Sequence, residues 1–231
     1  MSTAYRRYAD SAGKRRAWSA ANRGNIAMRE ELLGLLLEAG ARELAGQGRV
    51  LDIGCGNGFW LERLAEHGVA ENRLSGVDVQ PERVTRAARA LPGATLVTAD
   101  ARHLPLPTGA FHLVLLFTVL SSLATRSDAG AALLEARRVL APGGLLLCYE
   151  PRLPNPLNRA TLRLRRSDYA SALGRSVQSV PCTVLPPLTR RLGPLAPLAY
   201  PALRRLSPLL THRLVAHRRT GIVATRWRRD L

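Results

Sequence analysis

The chain has 231 residues, enough for a single domain with a complete hydrophobic core, and its formal net charge is +17. No apolar run approaches the roughly 20 residues of a membrane span, and the polar N-terminus lacks the apolar segment of a secretion signal. The three cysteines, Cys55, Cys148 and Cys182, are too few and too widely spaced for a disulfide framework or a CxxC metal pair. We therefore expect a cytoplasmic protein with no membrane span and no metal site.

The basic charge is almost entirely arginine, because Lys14 is the only lysine. A polyanion such as RNA would explain this charge. A coding bias toward arginine explains it equally, since alanine and leucine are also abundant and no nucleic-acid-binding motif is present. Nucleic-acid binding is therefore the less favoured interpretation. A basic cluster near the C-terminus consists of Arg213, Arg218, Arg219, Arg226, Arg228 and Arg229.

Residues 1–48 predict an N-terminal helical cap. Aromatic side chains are set among arginines in 5–25, and apolar side chains recur at helical spacing through 26–45. The next segment, R-V-L-D-I-G-C-G-N-G-F-W-L-E-R-L at 49–64, predicts a strand, a glycine turn and a helix. Three glycines in five residues at the end of a strand let main chain approach a ligand closely, so this turn is a candidate binding loop.

Strands and helices alternate after the glycine loop. We expect strands at 74–79, 94–99, 111–117 and 145–149, and helices at 81–91 and 129–140. The run at 111–117 is almost continuously hydrophobic, which is typical of burial on both faces. Such alternation indicates βαβ units, so the fold class is α/β, with a doubly wound, mostly parallel sheet and helices on both faces.

The character of the chain changes after Glu150, where prolines recur as far as Pro208. We interpret 151–210 as a proline-rich cap insertion that contains a strand at 177–185 and short broken helices in 188–206. A last strand at 212–217 and a basic tail then complete 211–231. The prediction is a single domain whose core spans 49–150.

Three acidic residues each lie at the end of a predicted strand. Asp78 ends the second strand, where a carboxylate can accept hydrogen bonds from both hydroxyls of a ribose. Asp100 ends the third strand and can meet the amino group of an adenine, while Asp52 can hold the glycine loop or take a cationic amine. Together they indicate a cofactor that contains adenosine. The G-x-G-x-G spacing disfavours a dinucleotide, which favours G-x-G-x-x-G.

The sequence resembles the class I S-adenosylmethionine (SAM) dependent methyltransferases, and among them the small-molecule type. The matching segments are V-L-D-I-G-C-G-N-G at 50–58, G-V-D-V at 76–79, A-D-A-R-H-L-P-L-P…F-H-L-V at 99–114 and R-V-L-A-P-G-G-L-L-L at 138–147. More weakly, Y-E-P-R…N-P at 149–156 and V-L-P-P-L-T-R-R-L at 184–192 resemble a branch often encoded with polysaccharide or natural-product biosynthesis genes. The resemblance implies a Rossmann-like sheet of seven strands.

SAM is the cofactor that the resemblance implies, and roles for residues of this chain follow from it. The glycines of the loop would approach the methionine moiety and ribose, Asp78 would bind the ribose hydroxyls, and Asp100 with Ala101 would border adenine. The predicted cofactor-binding residues are Asp52, Gly54, Cys55, Gly56, Gly58, Asp78, Val79, Asp100, Ala101 and Phe117.

The predicted function is transfer of a methyl group from SAM to a small molecule, chiefly to a hydroxyl of a natural product, sugar or lipid-like metabolite. The displacement is in line, so holding the acceptor near the methyl group supplies much of the rate. A hydroxyl acceptor often also needs a general base. The candidates are His103, Glu150 and His212, followed by Tyr149 and His217. An RNA methyltransferase and a non-catalytic adaptor with this fold are the alternatives.

Overall fold

The computed structural model describes residues 19, 21–153, 161–174 and 176–219. Its strands are β1 (Val50–Ile53), β2 (Leu74–Asp78), β3 (Thr95–Thr98), β4 (Phe111–Phe117), β5 (Leu140–Pro151), β6 (Gln178–Val184) and β7 (Leu210–Arg218). They form one seven-stranded sheet in the order β3-β2-β1-β4-β5-β7-β6. The predicted seven-stranded sheet is therefore confirmed.

The sheet is parallel except at one edge. Strands β1 to β5 pair in parallel, whereas β7 runs antiparallel to both of its neighbours, β5 and β6. Pro151 at the end of β5 is the register partner of His212 near the start of β7. The beginning of β7 therefore lies at the edge of the sheet where the parallel strands end, which is where ligands bind in open α/β sheets.

Helices cover both faces of the sheet, as predicted. They are α1 (Arg23–Ala39), α2 (Ala41–Ala45), α3 (Phe59–Glu66), α4 (Pro81–Ala90), α5 (Arg126–Val139), α6 (Arg166–Leu173), α7 (Pro186–Arg191) and α8 (Ala196–Leu203). Leucines of α1 and α3 pack with β4 and β5 in one core cluster. Helices α5 and α6 pack in the other cluster, on the opposite face.

The helix predicted over 26–45 is two helices, because α1 ends at Gly40 and α2 begins directly after it. The start of α1 is capped by Asn22, whose side-chain oxygen accepts hydrogen bonds from the N–H groups of Gly24 (2.9 Å) and Asn25 (3.2 Å). The aromatic and basic residues predicted to belong to this cap before residue 19 lie outside the described residues. The division of the chain into cap and core stays a prediction.

Two boundaries in the core differ from the predicted ones. Helix α5 begins three residues earlier than expected, because the hydroxyl of Thr125 accepts a hydrogen bond from the N–H of Asp128 (3.0 Å) and caps the helix. Strand β5 begins earlier as well and includes the segment A-P-G-G at 141–144. The register with β4 shifts there, from Phe111 opposite Leu140 to Leu113 opposite Leu145, so this segment is an irregularity within the strand, and Gly143 in it has a positive φ of 76°.

The 151–210 segment contributes to the sheet and to both helical layers. Helix α6 packs against α5, whereas α7 and α8 pack against α1, and β6 forms an edge of the sheet. Glu31 of α1 joins these parts: its Oε2 accepts hydrogen bonds from the N–H of Thr183 (2.9 Å) and the hydroxyl of Tyr200 (2.6 Å). Residues 154–160 of this segment lie outside the described residues.

The basic cluster predicted near the C-terminus is only partly described. Arg218 pairs with Glu43 of α2 at 2.6 Å and also donates to the carbonyl oxygen of Gly143 (2.8 Å), so it is a structural residue. The other end of the cluster, from 220 onward, lies outside the described residues. Among the helices that are described, none has the length and apolar character needed to cross a membrane.

Candidate active site

The glycine loop turns sharply after β1. Gly54, Gly56 and Gly58 all have positive φ, between +56° and +90°, a conformation that side chains other than glycine rarely adopt. At Gly54 a Cβ atom would also lie only 2.4 Å from Cγ2 of Val119. The N–H of Gly54 donates to the carbonyl oxygen of Val77 (2.7 Å), which ties the loop to β2.

Asp78 lies at the end of β2 and is only 8% exposed. Its Oδ2 accepts a hydrogen bond from the N–H of Gly56 (3.0 Å), and its Oδ1 accepts one from the N–H of Gln80 (2.9 Å). Each carboxylate oxygen has a further lone pair, so both can still accept from the hydroxyls of a ligand. The carboxylate therefore fixes the glycine loop and remains suited to a ribose.

Asp52 lies beneath the loop and is buried, with 1% of its surface exposed. Its Oδ2 has no hydrogen-bond partner among the described residues. Burial, followed by the charge of Asp78, raises the pKa of Asp52 to about 8. A cation bound at the loop would favour the ionised carboxylate. This buried, unpaired acid fits the positive charge of SAM.

A cleft of about 200 Å³ opens beside the glycine loop, at the carboxyl ends of the strands. The predicted cofactor residues that line it are Gly54, Asp78, Val79, Asp100, Ala101 and Phe117. The other four do not line it: Asp52 is buried beneath the loop, and Cys55, Gly56 and Gly58 belong to the loop itself. Burial raises the pKa of the Cys55 thiol, as expected for a packing residue.

Arg102 lines the cleft and was not identified from the sequence. Its Nε lies 3.0 Å from Oδ1 of Asp100, and its two terminal nitrogens lie 2.7 Å from Oδ2 of Asp100 and 2.6 Å from Oδ1 of Asp128. These hydrogen bonds lower the pKa of Asp100 to about 2. The guanidinium thus links the loop after β3 to the start of α5. The D-x-R spacing at 100–102 could have indicated this pair, because the N–H of Arg102 donates to the carboxylate of Asp100 and the turn brings the two side chains together.

Thr118 is a second cleft residue that sequence reasoning missed. It follows β4 and has a φ of 61°, which is uncommon for a threonine. The N–H of Thr118 donates to the carbonyl oxygen of Tyr149 (2.8 Å), and its hydroxyl donates to that of Phe117 (2.7 Å). These bonds hold an unfavourable backbone conformation beside the cleft, as is frequent at functional sites.

The candidate bases have very different surroundings, and His212 is described below. Glu150 is 1% exposed, and its two oxygens accept hydrogen bonds from the N–H groups of Leu120 (2.8 Å) and Ser121 (3.1 Å). Burial raises the pKa of Glu150 to about 7. Its carboxyl group therefore holds the turn at 120–122, which borders the cleft. His103 is exposed in the loop after β3. His217, a further candidate, lies deeper in the sheet, opposite Leu146.

An aromatic row extends from the cleft toward β7. It consists of Trp60, Phe117, Tyr149 and His212, from α3, β4, β5 and β7 respectively. Ring centroids lie 5.3 Å apart for Trp60 and Phe117, and 5.9 Å apart for Phe117 and Tyr149. The rings of Tyr149 and His212 are stacked at 4.9 Å with an angle of 7°. Since Phe117 also lines the cleft, the aromatic row is continuous with it.

The hydroxyl of Thr211 contacts two groups, the carbonyl oxygen of Thr183 (3.2 Å) and Nδ1 of His212 (2.9 Å). When the hydroxyl donates to Thr183, it accepts from Nδ1–H, and Nε2 of His212 then carries the lone pair. No described residue donates to Nε2. Burial, followed by the charge of Arg190, lowers the pKa of His212 to about 4. The ring is therefore neutral at physiological pH.

Comparison with known proteins places residues 50–144 in a family described as a methyltransferase domain. The chain is 34% identical over 113 residues to a demethylmenaquinone methyltransferase of Listeria monocytogenes, covering 46% of each chain. It is 38% identical over 120 residues to a malonyl-[acyl-carrier protein] O-methyltransferase of Geobacter sulfurreducens, covering 50% of this chain and 42% of the relative. These matches thus span less than half the length of either relative.

A solved structure shares the fold. The crystal structure of a SAM dependent methyltransferase from Archaeoglobus fulgidus superposes with a TM-score of 0.59 and 17% identity. The superposition covers 81% of this chain and 93% of that chain. It therefore extends well beyond the family match and includes most of the sheet.

Proposed function

We propose that this chain, which contains a class I SAM-dependent methyltransferase domain, transfers a methyl group from SAM to a hydroxyl oxygen of a small molecule. The observation that carries the proposal is the junction at Phe117, where the cofactor cleft meets the aromatic row. The similar Geobacter protein is named an O-methyltransferase, which agrees with an oxygen acceptor. A planar ring fits the row, because aromatic rings stack at such distances.

The cofactor side of the site holds its ligand through carboxylates and main chain. Bound SAM supplies a methyl group on a cationic sulfur, ready for displacement by a nucleophile. Asp78 would accept the ribose hydroxyls, and Asp52 would stabilise the positive charge from beneath the loop. Asp100, held by Arg102, would border the adenine. These roles leave the end of the cleft at Phe117 free for the acceptor.

The acceptor side would orient the attacking oxygen. A planar acceptor stacked along the aromatic row can donate its hydroxyl hydrogen bond to Nε2 of His212. This bond holds the oxygen in line with the methyl group, and such positioning supplies much of the rate. Because the low pKa of His212 makes it a weak base, the proton released as the O–C bond forms passes to solvent.

SAM binding is tested by calorimetry on the wild type and an Asp78→Ala variant. Asp78 makes charge-assisted hydrogen bonds worth about 1.5–3 kcal/mol each, so we expect at least about 10-fold weaker binding in the variant. Glu82→Ala, which removes an exposed acid from α4, is the control and should bind SAM as the wild type does. Equal affinity in wild type and Asp78→Ala, or none in either, would refute the proposal.

The acceptor class is tested by incubating the enzyme with isotopically labelled SAM and a cell extract. We expect a small metabolite to gain the methyl group on oxygen, with formation of S-adenosylhomocysteine, as detected by mass spectrometry. Label found in RNA instead would exclude the small-molecule proposal and support an RNA methyltransferase. No turnover with any fraction, despite SAM binding, would support a non-catalytic adaptor.

The compartment that we propose is the cytoplasm. Cys55, Cys148 and Cys182 are all buried and free. Burial raises the pKa of each thiol, which makes the three cysteines unreactive. Free thiols are typical of proteins that work in a reducing compartment.

A further inference from the structure

Arginines gather on the face of the sheet that α5 and α6 cover, near the end of β5 and the start of β7. The register pairs Arg213 of β7 with Glu150 of β5, and the N–H of Arg152 donates to the carbonyl oxygen of Thr211 (2.8 Å). Arg152 and Arg213 are therefore diagonal neighbours on one face, a separation of roughly 7–8 Å between backbones. Both side chains are partly exposed.

Two residues from the segment around α6 complete this group. Tyr169 of α6 packs in the same core cluster as Cys148 and Val215, and only 1% of its surface is exposed. Arg163, which precedes α6, is exposed and close enough for its charge to act on Arg213. We call Arg152, Arg163, Tyr169 and Arg213 the arginine cluster.

The arginine cluster has no counter-charge in the described part of the chain. Its three guanidinium groups form no ion pair there, in contrast to Arg102, Arg138 and Arg218, which each pair with a carboxylate. The adjoining carboxyl group, Glu150, uses its oxygens on N–H groups of the turn at 120–122.

Polar atoms of the cluster are also left without partners. Nε of Arg152, Nε of Arg213 and the hydroxyl of Tyr169 are buried and form no hydrogen bond with any described residue. One terminal nitrogen of Arg152 does donate to the carbonyl oxygens of Leu210 (2.9 Å) and Ser207 (3.2 Å). Burial, together with the charges of Arg152 and Arg163, lowers the pKa of Arg213. Unpaired buried donors and neighbouring like charges both destabilise a fold, and one bound anion would relieve both.

We propose that the arginine cluster binds a phosphate-type oxyanion. Guanidinium groups present paired N–H donors that match the oxygens of a phosphoryl group, and the hydroxyl of Tyr169 supplies a further donor. Glu150 connects the cluster to the turn at 120–122, whose Ser122 lines the cleft. The anion site therefore lies near the turn that borders the cleft, on the opposite face of the sheet from the aromatic row, and its ligand is either free phosphate or a phosphoryl group of the acceptor.

Calorimetric titration of the full chain with inorganic phosphate and with phenyl phosphate tests the proposal directly. We expect binding to the wild type, about 10-fold weaker binding to Arg213→Gln, and about 3-fold weaker binding to Tyr169→Phe, which keeps the packing of the ring. Arg86→Gln removes an exposed arginine of α4 and is the control for net charge. Its affinity should equal that of the wild type.

Thermal unfolding separates ligand binding from a structural role of Arg213. Without phosphate, Arg213→Gln should melt no lower than the wild type, because it loses a buried unpaired donor and two like-charge neighbours. With phosphate, the melting temperature of the wild type should rise more than that of Arg213→Gln, since a ligand stabilises the state that binds it in proportion to its affinity. A variant that melts lower by the same amount in both buffers would indicate a structural arginine and overturn the proposal.

The two possible sources of the anion give different affinities. Tighter binding of phenyl phosphate than of inorganic phosphate, especially with S-adenosylhomocysteine present, assigns the site to the acceptor; equal affinities assign it to free phosphate. A wild type that binds neither probe, or an Arg213→Gln variant that binds both equally well, overturns the proposal. Because the first titration needs no SAM, this failure is distinct from failure of the methyltransferase proposal.

Discussion

The two sides of the active site carry opposite charge. Beside the ends of β1 to β3 lie carboxylates, Asp78 and Asp100 at the cleft and Asp52 beneath the loop. Beyond the end of β5, in contrast, lie Arg152 and Arg213 with no acid paired to them among the described residues. The acids suit a cationic cofactor, and the arginines suit an anionic group. Although the chain has a net charge of +17, the charged side chains around the site are therefore segregated by sign.

The two sides also differ in what holds them together. On the cofactor side, Asp78 reaches the loop across 22 positions of sequence, within one βαβ unit. On the acceptor side, Glu31 reaches Thr183 across 152 positions and Tyr200 across 169. The cofactor side is thus a local structure, whereas the acceptor side depends on the N-terminal helix closing onto the C-terminal segment.

The largest effect is expected for Glu31→Ala, which tests whether the acceptor side can be destabilised without changing the cofactor side. The substitution leaves Arg204, the hydroxyl of Tyr200 and the N–H of Thr183 without their common partner, which should lower the free energy of unfolding by about 3–5 kcal/mol. SAM affinity of the folded protein should be unchanged. Urea unfolding and calorimetry measure the two quantities.

Glu30→Ala is the matched control for this experiment. Glu30 is exposed and pairs with Arg63 at 3.4 Å, so its loss should cost less than about 1 kcal/mol. If Glu31→Ala weakened SAM binding as strongly as it lowered stability, the two sides of the site would not be separable.

Gly54→Ala should have the next largest effect, on the cofactor side. A left-handed conformation costs an alanine about 1–2 kcal/mol, and the contact with Val119 adds about 1–3 kcal/mol of overpacking. Because the loop must shift to relieve both, we expect SAM binding to be lost. Gly68→Ala also has positive φ but meets no atom within 4 Å, so it should retain SAM binding. Equal SAM affinity in both variants would contradict a ligand-holding loop.

Asp52→Asn tests the electrostatics of the cofactor side through the pH dependence of stability. The folded-state pKa of about 8 lies above the usual carboxyl value of 3.8, so between these values the folded chain holds a proton that the unfolded chain releases. Stability should therefore fall as pH rises, by up to about 1.4 kcal/mol per pH unit. Denaturant unfolding from pH 5 to 8 should show a smaller slope in Asp52→Asn.

Asp100→Asn provides the control for this pH dependence. Arg102 lowers the pKa of Asp100 to about 2, so this group does not titrate between pH 5 and 8. The variant should keep the slope of the wild type. A wild-type slope that survives in Asp52→Asn would show that Asp52 is not the titrating group.

The smallest expected effect is that of His212→Phe on the acceptor side. Phenylalanine keeps the stacking on Tyr149 and removes the Nε2 acceptor, worth about 1 kcal/mol, so kcat/KM for the acceptor should fall about 5-fold while SAM affinity stays constant. His67→Phe, at an exposed position after α3, should leave both unchanged. An equal loss of rate in His212→Phe and His67→Phe would show that His212 does not contact the acceptor.

The strands, the glycine loop and the acids of the cofactor side could be predicted from sequence because their signals are local. A hydrophobic run that ends in Asp78 or in the glycine loop predicts both a strand and a candidate binding position at its end. Arg102 was missed because its role depends on Asp128, 26 positions away and on another element. Thr118 was missed because the positive φ of a threonine cannot be recognised from the order of polar and apolar residues.

The sequence by itself determined the α/β class, the alternation of strands and helices, and a spacing of glycines and acids that predicts a SAM site. Only the tertiary structure decided that β7 lies between β5 and β6, and this placement brings His212 to Tyr149 and Arg213 to Arg152. The physical reason is that sequence periodicity reports which face of an element is buried but not which neighbour covers it. The proposed acceptor side therefore exists only because of the order of the strands in the sheet.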